Sequence, residues 1–145
     1  NRNHHAEYGA LLANDLLRTK DMPLLDRITV VSAIGNHDES TGIPEDGISA
    51  ALIIADKTDV RRSRVTKKDT SSFDIHDRVN YAVTDSKLKI EKDKSAIALN
   101  IQVDEKICSM YDYFEIFFDR MVLCRKAAEA LGTTFKLTAN GRKIL

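Results

Sequence analysis

No stretch of this sequence stays apolar for anything near the roughly 18 residues that a membrane span needs. The first apolar stretch is short and follows two histidines, so the start does not read as a signal peptide. An excess of one charge is missing as well, because 22 Lys and Arg balance 22 Asp and Glu. A net charge of zero gives no global steering toward nucleic acid or an anionic membrane. Cysteine is scarce. Cys108 and Cys124 are the only two, too few for a disulfide framework, and they read as reduced thiols of a cytoplasmic protein. There is no internal repeat and no low-complexity segment. An initiator Met is absent: the chain starts at Asn1, with no helix start ahead of His4-His5, which reads as part of a longer polypeptide.

What is there is enough for a core. The chain has 145 residues, 43% of them hydrophobic and 30% charged, which fits one ordinary domain or two small ones. Tyr8, Leu11, Leu12 and Leu16 recur at helical spacing and predict a helix over 5–20. Pro23 breaks the pattern. A second helix is expected from about Leu24 to Gly35, with Leu24, Ile28, Val31 and Ile34 on one face. Asn36-His37-Asp38-Glu39 leads into a polar loop, Ser40 to Gly47, holding Gly42 and Pro44. Asp46 is a plausible N-cap for a third helix, with Ile48, Leu52 and Ala55 as its apolar face and a basic end at Arg61, Arg62 and Arg64. Residues 66–74 read as a linker or exposed loop, and 75–82 as a short helix.

The period then changes. Leu88 and Ile90 alternate with lysines, and Ile97, Leu99, Ile101 and Val103 alternate strictly, which predicts two half-buried strands joined through Lys92-Asp93-Lys94. Met110, Phe114, Phe117, Met121, Cys124, Ala128 and Leu131 form the core stripe of a long helix, about 109–131, with Gly132 as its C-cap. A strand around Phe135–Thr138 and an Asn140-Gly141 hairpin turn complete the order. Helices followed by strands predict an α+β fold, with a boundary at about residue 84: a helical region over 1–84, then a small ββαβ-like domain over 85–145, an antiparallel sheet packed on one long helix.

Three places hold polar residues that packing alone does not explain: His4-His5, His37-Asp38 and Asp56. Asp56 follows Leu52 by four residues and Ile48 by eight, so it shares the expected apolar face, where a carboxylate needs a metal, an arginine or backbone donors. Imidazole and carboxylate ligands suit a divalent hydrolytic metal such as Mn, Fe, Mg or Zn, which activates water and polarises a phosphoryl oxygen. Lys57, Arg61 and Arg64 lie within eight residues of Asp56, and guanidinium groups grip phosphate oxygens. Plainer roles compete at each position. His37-Asp38 suits helix-end and turn chemistry, and Asp56 suits a salt bridge to Arg61 or Arg64.

The segments His5-Ala-Glu-Tyr-Gly9, Ala33-Ile-Gly-Asn-His37-Asp38-Glu39 and Ala50-Ala-Leu-Ile-Ile-Ala-Asp56-Lys-Thr-Asp59 resemble three successive motifs of the HD phosphohydrolase superfamily, in its HD-GYP-like form. The likeness covers about residues 4–62. It implies an all-helical region with His5, His37 and Asp56 as metal ligands, Asp38 where some relatives have a second histidine, and hydrolysis of phosphoesters, often of nucleotides. On the reading of the residues themselves, Asp38 and Lys57 are the candidate catalytic groups and Arg61 and Arg64 the candidates for the substrate phosphate. The family's first histidine and its His-Asp doublet belong upstream of His5, or else His37-Asp38 is itself the doublet with His4 or His5 as the first histidine; its GYP tripeptide is represented only by Gly42-Ile43-Pro44.

Two functions follow from the resemblance. One is a metal-dependent phosphohydrolase acting on a small phosphorylated or nucleotide ligand, or the C-terminal portion of such an enzyme. The other is a degenerate module that binds a nucleotide or a protein partner without turnover. Residues 85–145 could regulate the helical part, dimerise it or bind a ligand. A nucleic-acid contact through Arg61-Arg62-Ser63-Arg64 and Lys67-Lys68 is the weakest reading, given the neutral charge and sparse aromatics.

Overall fold

A computed structural model describes residues 4–67 and 69–145. Lys68, one member of the basic run, lies outside the described residues.

Helices α1 (His5–Arg18) and α2 (Leu24–Gly35) pack on each other as a hairpin. Pro23 sits at the N-cap of α2, with the preceding turn closed through Asp21 at positive φ. Small residues let the two helices approach at one end: Gly9 lies against Ile34, and Gly35 against Ala10. That end carries His5 at the start of α1 and places it beside the residues that follow α2.

Helix α3 (Gly47–Thr58) begins in a capping box, in which the Asp46 carboxylate accepts the Ser49 N–H at 2.7 Å and the Ser49 hydroxyl accepts the Asp46 N–H at 2.9 Å. Such reciprocal caps satisfy donors that the first turn leaves orphaned. The helix stops at Thr58. The basic residues expected at its end form a separate 3-10 turn, Arg62–Arg64.

Helix α4 (Ile75–Ala82), again opened by a capping box between Asp74 and Asp77, leads straight into strand β1 (Val83–Glu91). A 3-10 turn at Lys92–Lys94 joins β1 to β2 (Ala96–Val103). Helix α5 (Met110–Ala130) crosses to β3 (Thr134–Ala139), and the turn Asn140-Gly141, both at positive φ, returns the chain as β4 (Arg142–Lys143). The fold is α+β.

The sheet order is β1-β2-β3-β4, and the sheet is mixed rather than antiparallel. β1 pairs antiparallel to β2 and β3 antiparallel to β4, but β2 and β3 run parallel, with Leu99 opposite Leu137. The cause is α5, which carries the chain back to the end at which β2 began, so the next strand must run the same way. Alternating hydrophobicity marks strands without giving their direction.

One cluster of buried side chains runs from Ala50, Ile53 and Ile54 of α3 through Tyr113, Phe117 and Cys124 of α5 to Leu99 and Leu137 of the sheet. Helix α5 therefore packs on α3 with one side and on the sheet with another. The boundary expected near residue 84 falls at the start of β1, and this core extends across it. The apolar faces expected for α1 and α2 stand largely outside it: Tyr8, Leu11, Leu12, Leu16, Leu24 and Ile28 are exposed. Leu88 and Ile90 on the edge strand β1 are exposed too. Among the described residues no helix is long and apolar enough to cross a membrane.

Candidate functional site

The hairpin of α1 and α2 brings together residues 32 positions apart. His5 Nε2 and His37 Nε2 lie 3.1 Å from each other, with the rings edge to face and their centres 4.9 Å apart. The outer nitrogens meet acceptors. His37 Nδ1 is 2.5 Å from the Ile34 carbonyl oxygen. His5 Nδ1 is 3.3 Å from Asp38 Oδ2. A carbonyl and a carboxylate can only accept, so both contacts favour the tautomer with hydrogen on Nδ1. With that tautomer on one ring and the hydrogen on Nε2 of the other, the 3.1 Å contact is a hydrogen bond; with it on both rings, each Nε2 is left as an acceptor.

The spacing suits a metal. Two imidazole nitrogens at about 2.1 Å from one ion are separated by about 3.0–3.4 Å. The backing of each ring by an acceptor on Nδ1 is the usual support of a metal-ligating histidine. Asp56 has the donor chemistry of a third ligand. Among the described residues, however, no three His, Cys, Asp or Glu side chains form a ready-made shell. Asp56 is turned instead toward Lys57, with Nζ 2.7 Å from Oδ2.

The expected face of α3 needs correcting. Ile48 is exposed and Asp56 is only half-buried, with 34% of its side chain open to water. The buried face runs through Ser49, Ala50, Ile53, Ile54 and Lys57. The buried ionisable group is therefore Lys57, whose side chain is 2% exposed. Its ammonium answers two carboxylates at once, Asp56 and Glu39, the latter at 3.0 Å. Glu39 in turn accepts from Arg120 Nε of α5 at 2.7 Å. The result is a chain of alternating charge, Asp56–Lys57–Glu39–Arg120.

These contacts keep the acids ionised. Burial pushes the Asp56 carboxyl up, but the hydrogen bond and charge of Lys57, with His37 and Arg120, bring it below its ordinary value. Burial acts on Glu39 in the same direction and is outweighed by Arg120 and Lys57. Asp38 is likewise held low: burial is overcome by hydrogen bonds from the Ser40 N–H and hydroxyl, at 2.9 and 2.7 Å, together with the charges of His5 and Lys57.

The arginines expected on phosphate are engaged elsewhere. Arg61 Nε donates to Asp59 Oδ1 at 2.6 Å and Arg64 Nη1 to Asp59 Oδ2 at 3.2 Å. Asp59, not Asp56, is the partner of the basic turn. Arg62 donates to the Tyr81 carbonyl and stacks on the Tyr81 ring. Sequence reasoning passed over Glu39 and Arg120. Glu39 stood inside a quoted motif without a role. Arg120 follows Phe117 by three residues and precedes Cys124 by four, so a cation on the apolar stripe of α5 was the available signal. No family model matches the chain, and no curated protein or solved structure is similar to it.

Proposed function

We propose that the chain is a metal-dependent phosphohydrolase, or the C-terminal portion of one, with His5, His37 and Asp56 as ligands of a divalent cation. The observation that carries this reading is the 3.1 Å approach of two Nε2 atoms whose Nδ1 positions both face acceptors. A bound divalent cation would supply Lewis acidity to a phosphoryl oxygen and would lower the pKa of an attacking water. The protein's own groups hold the site in order. Asp38 orients His5, and the Ile34 carbonyl orients His37. Lys57, too enclosed to meet a substrate, is ion-paired with Asp56 and must yield that carboxylate for a cation to take it. Asp38 is therefore assigned an orienting role, and neither residue a direct catalytic one. The substrate class is a phosphoester, and Arg61 and Arg64, both paired with Asp59, are the candidates for its phosphate.

The test is metal content by elemental mass spectrometry after incubation with Mn²⁺ or Zn²⁺, on the wild type, His37→Ala and Asp56→Ala. The reading expects near-stoichiometric metal in the wild type, loss in both variants, and metal-dependent release of p-nitrophenol from its phosphate ester. A wild type that takes up no metal would sink it. Metal uptake without turnover would point to a binding module instead. The engagement of Asp56 by Lys57 favours that second reading, since a cation must then compete with an ammonium for the same carboxylate.

A further inference from the structure

We infer that the outer face of α1 pairs with the same face of a second copy of this chain, antiparallel across a two-fold axis that passes near Leu12.

Helix α1 hides its small residues and shows its large ones. On its inner side Ala6 is buried, Gly9 lies against Ile34 and Ala10 against Gly35. On its outer side Tyr8 is 56% exposed, Leu11 64%, Leu12 72% and Leu16 59%. Each residue turns a helix by about 100°, so these four fall within an arc of about 140°. A single exposed leucine is ordinary, but a stripe of large apolar side chains along one helix marks an interaction face. Four such side chains, each more than half open, present about 500 Å² per copy. A pair of copies therefore buries about 1,000 Å² in all, the area at which a specific but weak interface becomes possible.

The charges on the same helix select a second copy and fix its direction. Glu7 and Arg18 are both exposed. They stand eleven residues apart, close to three full turns, so both lie on the Leu11 edge of the stripe. A parallel pair would set Glu7 against Glu7 and Arg18 against Arg18. An antiparallel pair exchanges the ends, so Glu7 of one copy faces Arg18 of the other, and two-fold symmetry makes the contact twice. Asp15, also exposed, lies inside the stripe, where a covered carboxylate needs a donor. The antiparallel pair offers it the Tyr8 hydroxyl of the second copy. The midpoint of Glu7 and Arg18 falls just after Leu12, and that of Tyr8 and Asp15 just before it. One axis thus serves both contacts and packs Leu12, the most exposed of the four, against its own copy. The pairing uses none of the residues of the His/Asp site and stands whether or not that site holds a metal.

The experiment is sedimentation velocity over a range of protein concentrations on wild type, Leu12→Glu, Arg18→Glu and the charge swap Glu7→Arg/Arg18→Glu. All three positions are exposed, so the substitutions leave the core of the monomer alone. The wild type is expected to dimerise with a Kd of about 10–100 µM. Leu12→Glu puts two carboxylates on the axis and should leave a monomer. Arg18→Glu turns two attractive contacts repulsive and should weaken the dimer about tenfold. The charge swap should restore most of that loss. A wild type that stays monomeric at the highest concentration overturns the inference, and the stripe then serves some other partner. A dimer that Leu12→Glu leaves intact overturns it as well, since another surface would hold the copies together. A charge swap no stronger than Arg18→Glu overturns the antiparallel register.

Discussion

Replacing Lys57 with Met isolates the charge at the centre of the site. Met keeps most of the stem, and a volume-conserving change in a core costs under about 1.5 kcal/mol. What is lost is an ammonium 2.7 Å from Asp56 and 3.0 Å from Glu39. Removing one partner of a buried ion pair costs about 3–5 kcal/mol. Here the acids are partly open to water, at 34% for Asp56 and 27% for Glu39, and Glu39 retains Arg120. Solvent screening and that remaining partner reduce the expected loss to about 2–3 kcal/mol at pH 7. With a urea m-value of about 2 kcal/mol/M, the midpoint falls by about 1–1.5 M.

The pH dependence identifies the cause. Asp56 and Glu39 are held below their ordinary values of 3.8 and 4.5. Depressed carboxyl pKa values contribute stability that is full above those ordinary values and is lost as pH falls through the lower, folded-state values. Without Lys57 the largest opposing influence on both acids, burial, is less fully countered, so their folded-state pKa values rise. The deficit of Lys57→Met is therefore largest at neutral pH and shrinks as pH falls through the carboxylate range. Urea unfolding at pH 7 and at about pH 2.5, below both ordinary values, measures it. A deficit as large at the acid pH as at pH 7 would show that the loss is packing, and would refute the charge argument.

At Gly42, alanine places a Cβ 2.4 Å from the Asp38 carbonyl and 2.9 Å from that of Asn36. Backbone atoms cannot rotate away, so Gly42→Ala is expected to cost about 1–3 kcal/mol and to lower Tm by several degrees; an unchanged melting curve would count against the close approach. The Tyr113 hydroxyl is buried without a hydrogen-bond partner, and burial pushes its ionisation well up. Tyr113→Phe is expected to be neutral or stabilising by up to about 1 kcal/mol in chemical denaturation, whereas a clear loss would mean that the hydroxyl has a partner. Burial pushes the Cys124 thiol up to about 12. A thiol reagent at pH 8 should leave Cys124 unlabelled in the native protein and modify it after unfolding in urea, and rapid native labelling would contradict that environment.

Local chemistry made much of the fold legible. Asp46 caps α3 as its position suggested, because a capping carboxylate needs only the next three residues to act. Helix α2 spans Leu24–Gly35 as read from its periodicity, and Asn140-Gly141 turns the chain because those two residues tolerate positive φ. The nearness of His5 and His37 was not legible in any local pattern. Nothing in either segment says that Gly9 and Gly35 will let two helices close on each other.

Tertiary structure decided the rest. Periodicity offered α3 an apolar face through Ile48 and Leu52, but the partner available to it was α5, which covers the face with Ile53, Ile54 and Lys57. A helix with apolar residues on more than one side is oriented by what it packs against. The direction of β3 was set by the crossover through α5 rather than by any residue of β3. The brace from Arg120 to Glu39 joins residues 81 positions apart, and no local pattern carries such a pairing. The sequence by itself determined the helices, the strands and the Asp46 cap. Packing chose which faces met, and so made Lys57 the buried charge and Asp56 its half-exposed partner.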